Sequence, residues 1–268
     1  MDYETLLVER SGAVTTVTLN RPAVLNAINK RMLDEFGQLF GQLRADPSTR
    51  FVIFAAAGRA FSAGIDLSDS LSADPGSAAS LPTNMRLGQL AGQEFMRTLE
   101  NLEQVTFAAV NGVAVGAGLA LTLACDFRVA SQQASFAIPE TNIGLFFTWG
   151  CTPRLTALVG PAKAKEMIMT CDRVSAAEAL RIGLVNRVVA HDSLMEATHD
   201  MVERIARRGP LAVRMTKKLV NAAAAPGYGN LYLCEPELVE RLFLSGQPSE
   251  GVQAFVEKRE PDFDSEGD

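Results

Sequence analysis

The spacing of apolar residues in the first sixty positions alternates between strand-like and helix-like patterns. The runs TLLVE and AVTTVTL flank a turn at Arg10-Ser11-Gly12, which predicts a β-hairpin. The run FVIFAA, further along, predicts a buried strand. Between them, apolar residues at helical spacing, ended by Asp46-Pro47, predict a helix. These residues are Met32, Leu33, Phe36, Leu39, Phe40 and Leu43.

A similar order recurs downstream and then gives way to helices. Residues 67–84 are rich in Ser, Ala, Pro and Asp and predict a long loop before the next helix. VTFAAV, DFRVAS and GLVNRVV are predicted strands, and Ser175–Glu178 form a capping box that begins a short helix. Further helices are predicted over 192–208, 210–224, 231–244 and 249–257. The sequence therefore predicts an α/β protein with a core over 1–205 and a helical region over 206–268.

One charge-free stretch, residues 107–125, is long enough to cross a membrane. Asn111-Gly112 is a turn signal in its middle, and no second such segment or basic flank accompanies it. We therefore expect a buried strand, a turn and a buried helix, without membrane insertion.

Composition and charge narrow the classes of function. The 268 residues are 47% hydrophobic and 21% charged, with a net charge of −6 and a pI near 5.1. An acidic chain argues against general nucleic-acid binding. The start, MDYETLLVERSG, lacks the apolar core of a targeting signal, and four cysteines are scattered without a CxxC pair. These features predict a cytoplasmic protein with reduced thiols.

Two short segments each lead from a strand into a turn of small residues. They are GRAFSAGIDL at 58–67 and NGVAVGAGLAL at 111–121. Small residues allow close approach to the backbone, and a helix start leaves N–H groups unpaired. Such turns are suited to hold a polarised carbonyl oxygen. Glycines that pack against a strand give the same pattern, so both interpretations stay open at this point.

Glu140 carries the only charge in SFAIPETNIGLFFTW, residues 135–149. Burial of a carboxylate costs several kcal/mol unless it is paired or used, so Glu140 is a candidate for chemistry. His191 and His199 do not have metal-ligand spacing, and no metal site is predicted. Ser62 in AFSAG only half-resembles a nucleophile elbow, because Ala60 replaces its first glycine.

Five segments together resemble the crotonase superfamily, the enoyl-CoA hydratases and isomerases. They are LNRPAVLNAIN, GRAFSAGIDL, VNGVAVGAGLALTLACD, IPETNIGL and AFVEKREPDF, and the resemblance runs from about residue 4 to 263. It implies a spiral of strand-strand-helix (ββα) units with a C-terminal helical trimerisation region. It also implies an acyl-CoA thioester substrate, with no cofactor beyond the coenzyme A of that substrate, and self-association as a trimer or dimer of trimers.

The resemblance also implies a role for individual residues. The backbone N–H groups of Ala63 and Ala117 would hold the thioester oxygen, and Glu140 matches the second of two glutamates in family hydratases. The remaining implied substrate contacts are Leu25, Gly64, Ile65, Asp66 and Gly116, with Phe255 and Lys258 reaching the coenzyme A of a neighbouring subunit.

The chain departs from the hydratase pattern at one position. The first glutamate of family hydratases falls on Ala120. Hydration divides proton transfer between two carboxylates, whereas a shift of a double bond from C3 to C2 needs one base. This predicts an enoyl-CoA isomerase, and the aromatic residues of FFTW would either dry its pocket or simply pack in the core.

Three alternatives remain open from the sequence. The first is a hydratase or other acyl-CoA lyase that recruits Asp66 or Asp69 as its second acid. The second is a thioesterase that uses Ser62, and the third is a non-catalytic acyl-CoA binder.

Overall fold

The structure of the protein is a computed structural model that describes residues 3–67, 81–224 and 228–263. The strands in these ranges are β1 Leu6–Ser11, β2 Val14–Leu19, β3 Phe51–Ala56, β4 Ala60–Ser62, β5 Val105–Val110, β6 Val113–Val115, β7 Phe127–Ser131, β8 Ser135–Ala137, β9 Val174–Ser175 and β10 Arg187–Val189. The α-helices are α1 Lys30–Ala45, α2 Leu81–Glu100, α3 Ala117–Leu123, α4 Cys151–Val159, α5 Pro161–Thr170, α6 Ala176–Arg181, α7 Leu194–Ala206, α8 Pro210–Ala224, α9 Tyr228–Leu244 and α10 Gln247–Glu257.

The strands form two sheets. The larger sheet has the order β1-β2-β3-β5-β7-β10, with β1 antiparallel to β2 and the other pairs parallel. The smaller sheet has the order β4-β6-β8-β9, and only its β8-β9 pair is antiparallel. The chain alternates between the two sheets. The larger sheet contains β3, β5 and β7, and the smaller sheet contains the strand that follows each of them, β4, β6 and β8. The predicted spiral of ββα units is therefore confirmed.

Both faces of the larger sheet are covered, which explains its continuous apolar strands. Along β3, Val52 and Phe54 point into the main core with α1 and α2. Phe51 and Ile53 point to the opposite face, into a second cluster that contains residues of α7. The main core has an aromatic centre in which Phe36 packs 6.1 Å from Phe54 between ring centroids.

The structure confirms the main predicted elements and corrects others. The hairpin, α1 and the bounds of α8 agree with the sequence patterns, and Ser175 caps α6 by accepting a bond from the Glu178 N–H group. The predicted loop over 67–84 is wrong at its end, because α2 begins at Leu81, while 68–80 lie outside the described residues. The short strands β4, β6 and β8 were not predicted, since three residues are too few to show a period.

The charge-free stretch forms the end of β5, a bend at Asn111-Gly112, the short strand β6 and α3, so the expected buried strand, turn and buried helix are present with one additional strand between the turn and the helix. Within the described ranges, no helix is long and apolar enough to cross a membrane.

The C-terminal helices pack on the body of their own chain. Lys217 of α8 forms an ion pair of 2.8 Å with Asp126, and Arg86 of α2 forms one of 2.6 Å with Glu237 of α9. Helix α10 lies against the 3₁₀ helix Glu140–Ile143. The predicted division near residue 205 stays a prediction.

Arg128 holds the end of α3. Its buried guanidinium donates hydrogen bonds to the carbonyl oxygens of Thr122 (3.2 Å), Cys125 (2.7 Å) and Leu184 (2.8 Å). The last carbonyl groups of a helix have no partner within the helix, and a cation there is favourable. Arg128 therefore fixes the helix whose first turn opens the site described below.

We expect Arg128→Met to lower the free energy of unfolding by about 3 kcal/mol or more, because it leaves buried carbonyl groups without donors. Urea unfolding measures this. The matched control is Arg208→Met at the exposed end of α7, with an expected change of less than about 0.5 kcal/mol. Equal values for the two variants would contradict the role of Arg128.

Candidate active site

Three neighbouring parallel strands of the smaller sheet end at the same edge. Chain segments leave β4 at Ala63, β6 at Gly116 and β8 at Ile138. The carboxyl ends of parallel strands meet at one edge of a sheet, where ligands bind in open α/β folds. The sheet therefore brings together the two small-residue turns and the segment of Glu140.

Glu140 lies directly against Gly116. A Cβ atom built on Gly116 would be 2.7 Å from Glu140 Oε1, and Gly116 has a φ of +50°. Glycine alone fits both the conformation and the close approach. Oε2 of Glu140 is buried and has no hydrogen-bond partner among the residues that the structure describes. The carboxylate is thus placed at the edge of the sheet with one oxygen unused.

Burial raises the pKa of Glu140 from 4.5 to about 7, against a small lowering by its own backbone N–H group. Desolvation disfavours the charged carboxylate, which is why the pKa rises. A carboxyl group with this pKa is partly deprotonated at neutral pH and suited to general base catalysis.

The N–H group of Ala117 follows directly after Gly116, the residue that Glu140 contacts. Ala117 is the first residue of α3, so its N–H has no acceptor within the helix. The turn after β4 packs onto this helix start, because a Cβ on Gly64 would lie 3.7 Å from Ala117 N and 3.1 Å from the Val115 carbonyl oxygen. Ala117 is therefore the more available of the two predicted donors.

The second predicted donor is engaged in this structure. The N–H group of Ala63 donates to the carbonyl oxygen of Leu25 at 2.9 Å. Leu25 and Asn26 both have left-handed backbone conformations, and the Asn26 side chain donates to the Ala57 and Ala60 carbonyl oxygens at 2.8 and 2.9 Å. A ligand oxygen would have to replace the Leu25 carbonyl to use Ala63.

The other predicted contacts divide into two groups. Ile65 pairs with Ile28 and Asp66 forms an ion pair of 2.9 Å with Arg21, both beside the turn after β4. Phe255 and Lys258 are exposed, at the end of α10. The structure therefore gathers the segments of Leu25, Ala63–Asp66, Gly116–Ala117 and Glu140, while Phe255 and Lys258 remain on the surface.

Ser62 and Ala120 are buried. The Ser62 hydroxyl donates to the Asn26 carbonyl oxygen at 2.8 Å and accepts from the Gly64 N–H at 3.2 Å. This satisfied hydroxyl holds the turn and is poorly placed to act as a nucleophile. Ala120 is 1% exposed and packs in the main core. In the described part of the chain, no group of three or more His, Cys, Asp or Glu residues is placed to hold a metal ion.

Sequence reasoning missed a buried polar cluster behind the aromatic segment. Glu235 of α9 accepts hydrogen bonds from the Gln93 side chain and the Gly150 N–H, both at 2.7 Å. Trp149 is buried, and its ring lies where a Cβ on Gly92 would clash. Two glutamates, Glu235 and Glu237, in the otherwise apolar sequence LYLCEPELV were the available signal, and they did not identify a partner.

Known proteins similar to this chain are enoyl-CoA hydratases and isomerases. The family model described as enoyl-CoA hydratase/isomerase matches residues 9–266. The short-chain-enoyl-CoA hydratase of Clostridium acetobutylicum is 35% identical over 260 residues, covering 97% of each chain. The crystal structure of an enoyl-CoA hydratase/isomerase from Pseudoalteromonas atlantica superposes with a TM-score of 0.86 at 29% identity, covering 97% of this chain and 99% of that one.

A monofunctional enoyl-CoA isomerase from M. smegmatis is also similar, with a TM-score of 0.70 and 33% identity over 83% of this chain and 95% of that one. The fold and the site define an acyl-CoA enzyme of the crotonase superfamily. The chain belongs to the enoyl-CoA hydratase/isomerase family.

We expect Glu140→Gln to stabilise the protein at high pH. The folded protein holds the Glu140 proton more tightly than the unfolded chain, so stability falls as pH rises from about 4.5 to about 7. The amide side chain of the variant does not titrate, so its free energy of unfolding does not fall for this reason. The variant should unfold like wild type at pH 4 and gain up to about 3 kcal/mol at pH 8.

Urea unfolding at the two pH values measures the difference, with the exposed Glu196→Gln as control. A gain of the same size at both pH values would show that burial does not hold the proton on Glu140.

Proposed function

We propose that this enzyme is an enoyl-CoA isomerase that moves a double bond from C3 to C2 of an acyl-CoA thioester. The observation that carries this proposal is the Glu140 carboxylate beside the start of α3, whose Oε2 is buried without a hydrogen-bond partner in the described structure, with apolar Ala120 at the other hydratase position. One base is sufficient for this reaction because the same carboxyl group can remove a proton and return it.

In the proposed mechanism, Glu140 removes a proton from C2 and the electrons of that C–H bond move into a dienolate. The thioester oxygen, which carries the negative charge of the dienolate, accepts a hydrogen bond from the Ala117 N–H directly. It also accepts the N–H of Ala63 after replacing the Leu25 carbonyl. Each such donor contributes roughly 3–4 kcal/mol of transition-state stabilisation. Protonated Glu140 then delivers the proton to C4, which leaves the double bond between C2 and C3.

The burial of the base favours this reaction over hydration, since Oε2 of Glu140 is buried. Phe147 and Trp149 of the FFTW segment pack in the main core. A dry site maintains the raised pKa of the base, whereas hydration must admit and position a water molecule. No cofactor is needed for the proton transfer, and coenzyme A enters as part of the substrate.

Hydration of 2-enoyl-CoA is the second candidate, and the names of relatives favour it. The Clostridium acetobutylicum relative is named a short-chain-enoyl-CoA hydratase. A hydratase mechanism here would need another acid. Asp66 is occupied by its ion pair with Arg21, and Asp69 lies outside the described residues.

We expect wild-type protein to isomerise 3-enoyl-CoA and to hydrate 2-enoyl-CoA very slowly. Glu140→Gln should abolish isomerisation and leave the Kd for the CoA ester within a few-fold, because the amide keeps the shape and loses the base. Absorbance assays with both substrates and calorimetric binding measure these values.

If the wild-type protein hydrates 2-enoyl-CoA at roughly 10 per second or more, the isomerase assignment is wrong and the hydratase assignment replaces it. Glu140→Gln activity within about tenfold of wild type would remove Glu140 from either mechanism.

We also propose that the protein is cytoplasmic and self-associates as a trimer or a dimer of trimers. None of the four cysteines forms a disulfide in the described part of the chain, as is typical of a reducing compartment. Helix α8 has apolar side chains at helical spacing that remain exposed, namely Leu211, Met215, Leu219 and Val220. On α9, Leu238 is 50% exposed, Leu242 and Phe243 are half-buried, and the Leu231 side chain lies outside the described part. Apolar surface of this extent is typical of subunit interfaces.

Light scattering at micromolar concentration should give three or six times the chain mass of 28.8 kDa. The double variant Met215→Glu and Leu219→Glu should dissociate, because charges are disfavoured in an apolar interface. Leu180→Glu, an exposed apolar position on α6, serves as control and should leave the mass unchanged. A monomeric wild type would contradict the proposal.

A further inference from the structure

We propose that the C-terminal helices α9 and α10 position the Glu140 carboxylate, with Glu235 and Gly251 as positioning residues. The inference rests on the proposed role of Glu140 as the base. It concerns how the chain from Glu140 to Cys151 is held at its two ends, each by one of these helices.

Helix α10 holds the first end by backbone contact. Gly251 is buried, and a Cβ on it would lie 2.5 Å from both Cα and C of Ile143. A Cβ on Gly144 would lie 2.9 Å from the carbonyl carbon of Gln247. No real Cβ tolerates these distances, so the two backbones are in direct contact. A larger residue at 251 must therefore shift the 3₁₀ helix and α10 relative to each other.

That displacement would reach the base. Glu140 begins the same 3₁₀ turn in which Ile143 is the last residue, and the Leu145 N–H closes it on the Glu140 carbonyl oxygen at 2.9 Å. A single hydrogen-bonded turn moves as a unit. The contact between Glu140 Oε1 and Gly116 depends on the position of this turn.

Helix α9 holds the second end by hydrogen bonds. Glu235 is 5% exposed, and its Oε2 accepts the Gly150 N–H and a Gln93 side-chain N–H, both at 2.7 Å. Arg154 donates to the Gly150 carbonyl oxygen at 2.7 Å and pairs with Glu100 at 2.6 Å. Gly150 is thus fixed through both its N–H and its carbonyl group.

The hydrogen bonds to Gly150 also hold Trp149 in a strained backbone conformation. Trp149, the residue before Gly150, has a φ of +60°, a left-handed conformation that is strained for a non-glycine residue. Its ring packs 6.2 Å from Phe95. A strained backbone conformation persists only where the surrounding contacts enforce it. Burial raises the pKa of the thiol of Cys151, the residue after Gly150, and the charges of Glu235 and Glu140 raise this pKa further.

The first test is Gly251→Ala. Alanine favours a helix over glycine, so a loss of activity cannot come from helix propensity. We expect kcat to fall by at least about tenfold with KM within about threefold, because a displaced base affects the transition state more than binding. The control is Gly41→Ala in α1, where a Cβ meets no atom within 4 Å, and its kcat should equal wild type.

The second test compares two variants of Glu235. Glu235→Leu removes the acceptor for Gly150, and we expect a fall in kcat of about tenfold or more. Glu235→Gln keeps one side-chain oxygen, which in the place of Oε2 can accept both the Gly150 N–H and the Gln93 side-chain N–H. We expect this conservative variant to retain kcat within about threefold of wild type. The melting temperature of each variant shows whether it folds. If a variant of one test fails to fold, the kcat values of the other test decide the proposal.

Values of kcat for Gly251→Ala and Glu235→Leu within about threefold of wild type would overturn the proposal. A change in melting temperature or KM without a change in kcat would overturn it too, since that is the result of a purely structural role. Each variant is assayed on 3-enoyl-CoA and 2-enoyl-CoA. If wild type acts only on the second, isomerisation is wrong, but the positioning of Glu140 is still tested by hydration.

Discussion

The parallel pairing of β4, β6 and β8 is the constraint on which the site depends. Each strand has only three residues, yet the three chain segments that leave them contain Ala63, Gly116–Ala117 and Glu140. The Gly116 N–H donates to the Ala137 carbonyl oxygen at 3.1 Å, which ties two of these exits together. The larger sheet and the helices around it hold these short strands in register, so that the base and the backbone donor share one edge.

Charge balance sets Glu140 apart from the other buried ionic groups. Glu35 accepts two backbone N–H groups and the Thr5 hydroxyl, while Arg128 and Arg154 donate to carbonyl oxygens or to Glu100. Glu140 instead keeps Oε2 unpaired within the described structure. A buried carboxylate without a partner destabilises the fold and gains a raised pKa, and this combination is typical of functional sites. The surrounding networks offset that cost.

Membership in the enoyl-CoA hydratase/isomerase family indicates an acyl-CoA substrate, but it does not decide between isomerisation and hydration. The thioester oxygen and a carboxylate base are common to the proposed isomerisation and to hydration. The choice between them depends on whether a second acid reaches the substrate. At position 120 the structure has a methyl group packed in the core, 1% exposed. The same fold thus accommodates both reactions through small changes around one helix start.

The sequence by itself determined much of the larger sheet, α1 and the C-terminal helices, because their apolar residues recur over several turns or strand positions. It also identified Glu140, since one charge in fifteen apolar or neutral residues needs a reason. Only the tertiary structure decided the rest. The smaller sheet has strands too short for a period. The bond from Ala63 to Leu25 and the clamp of Glu235 on Gly150 join residues distant in the chain. Such contacts depend on which segments the packed core brings together, and local patterns carry no record of that proximity.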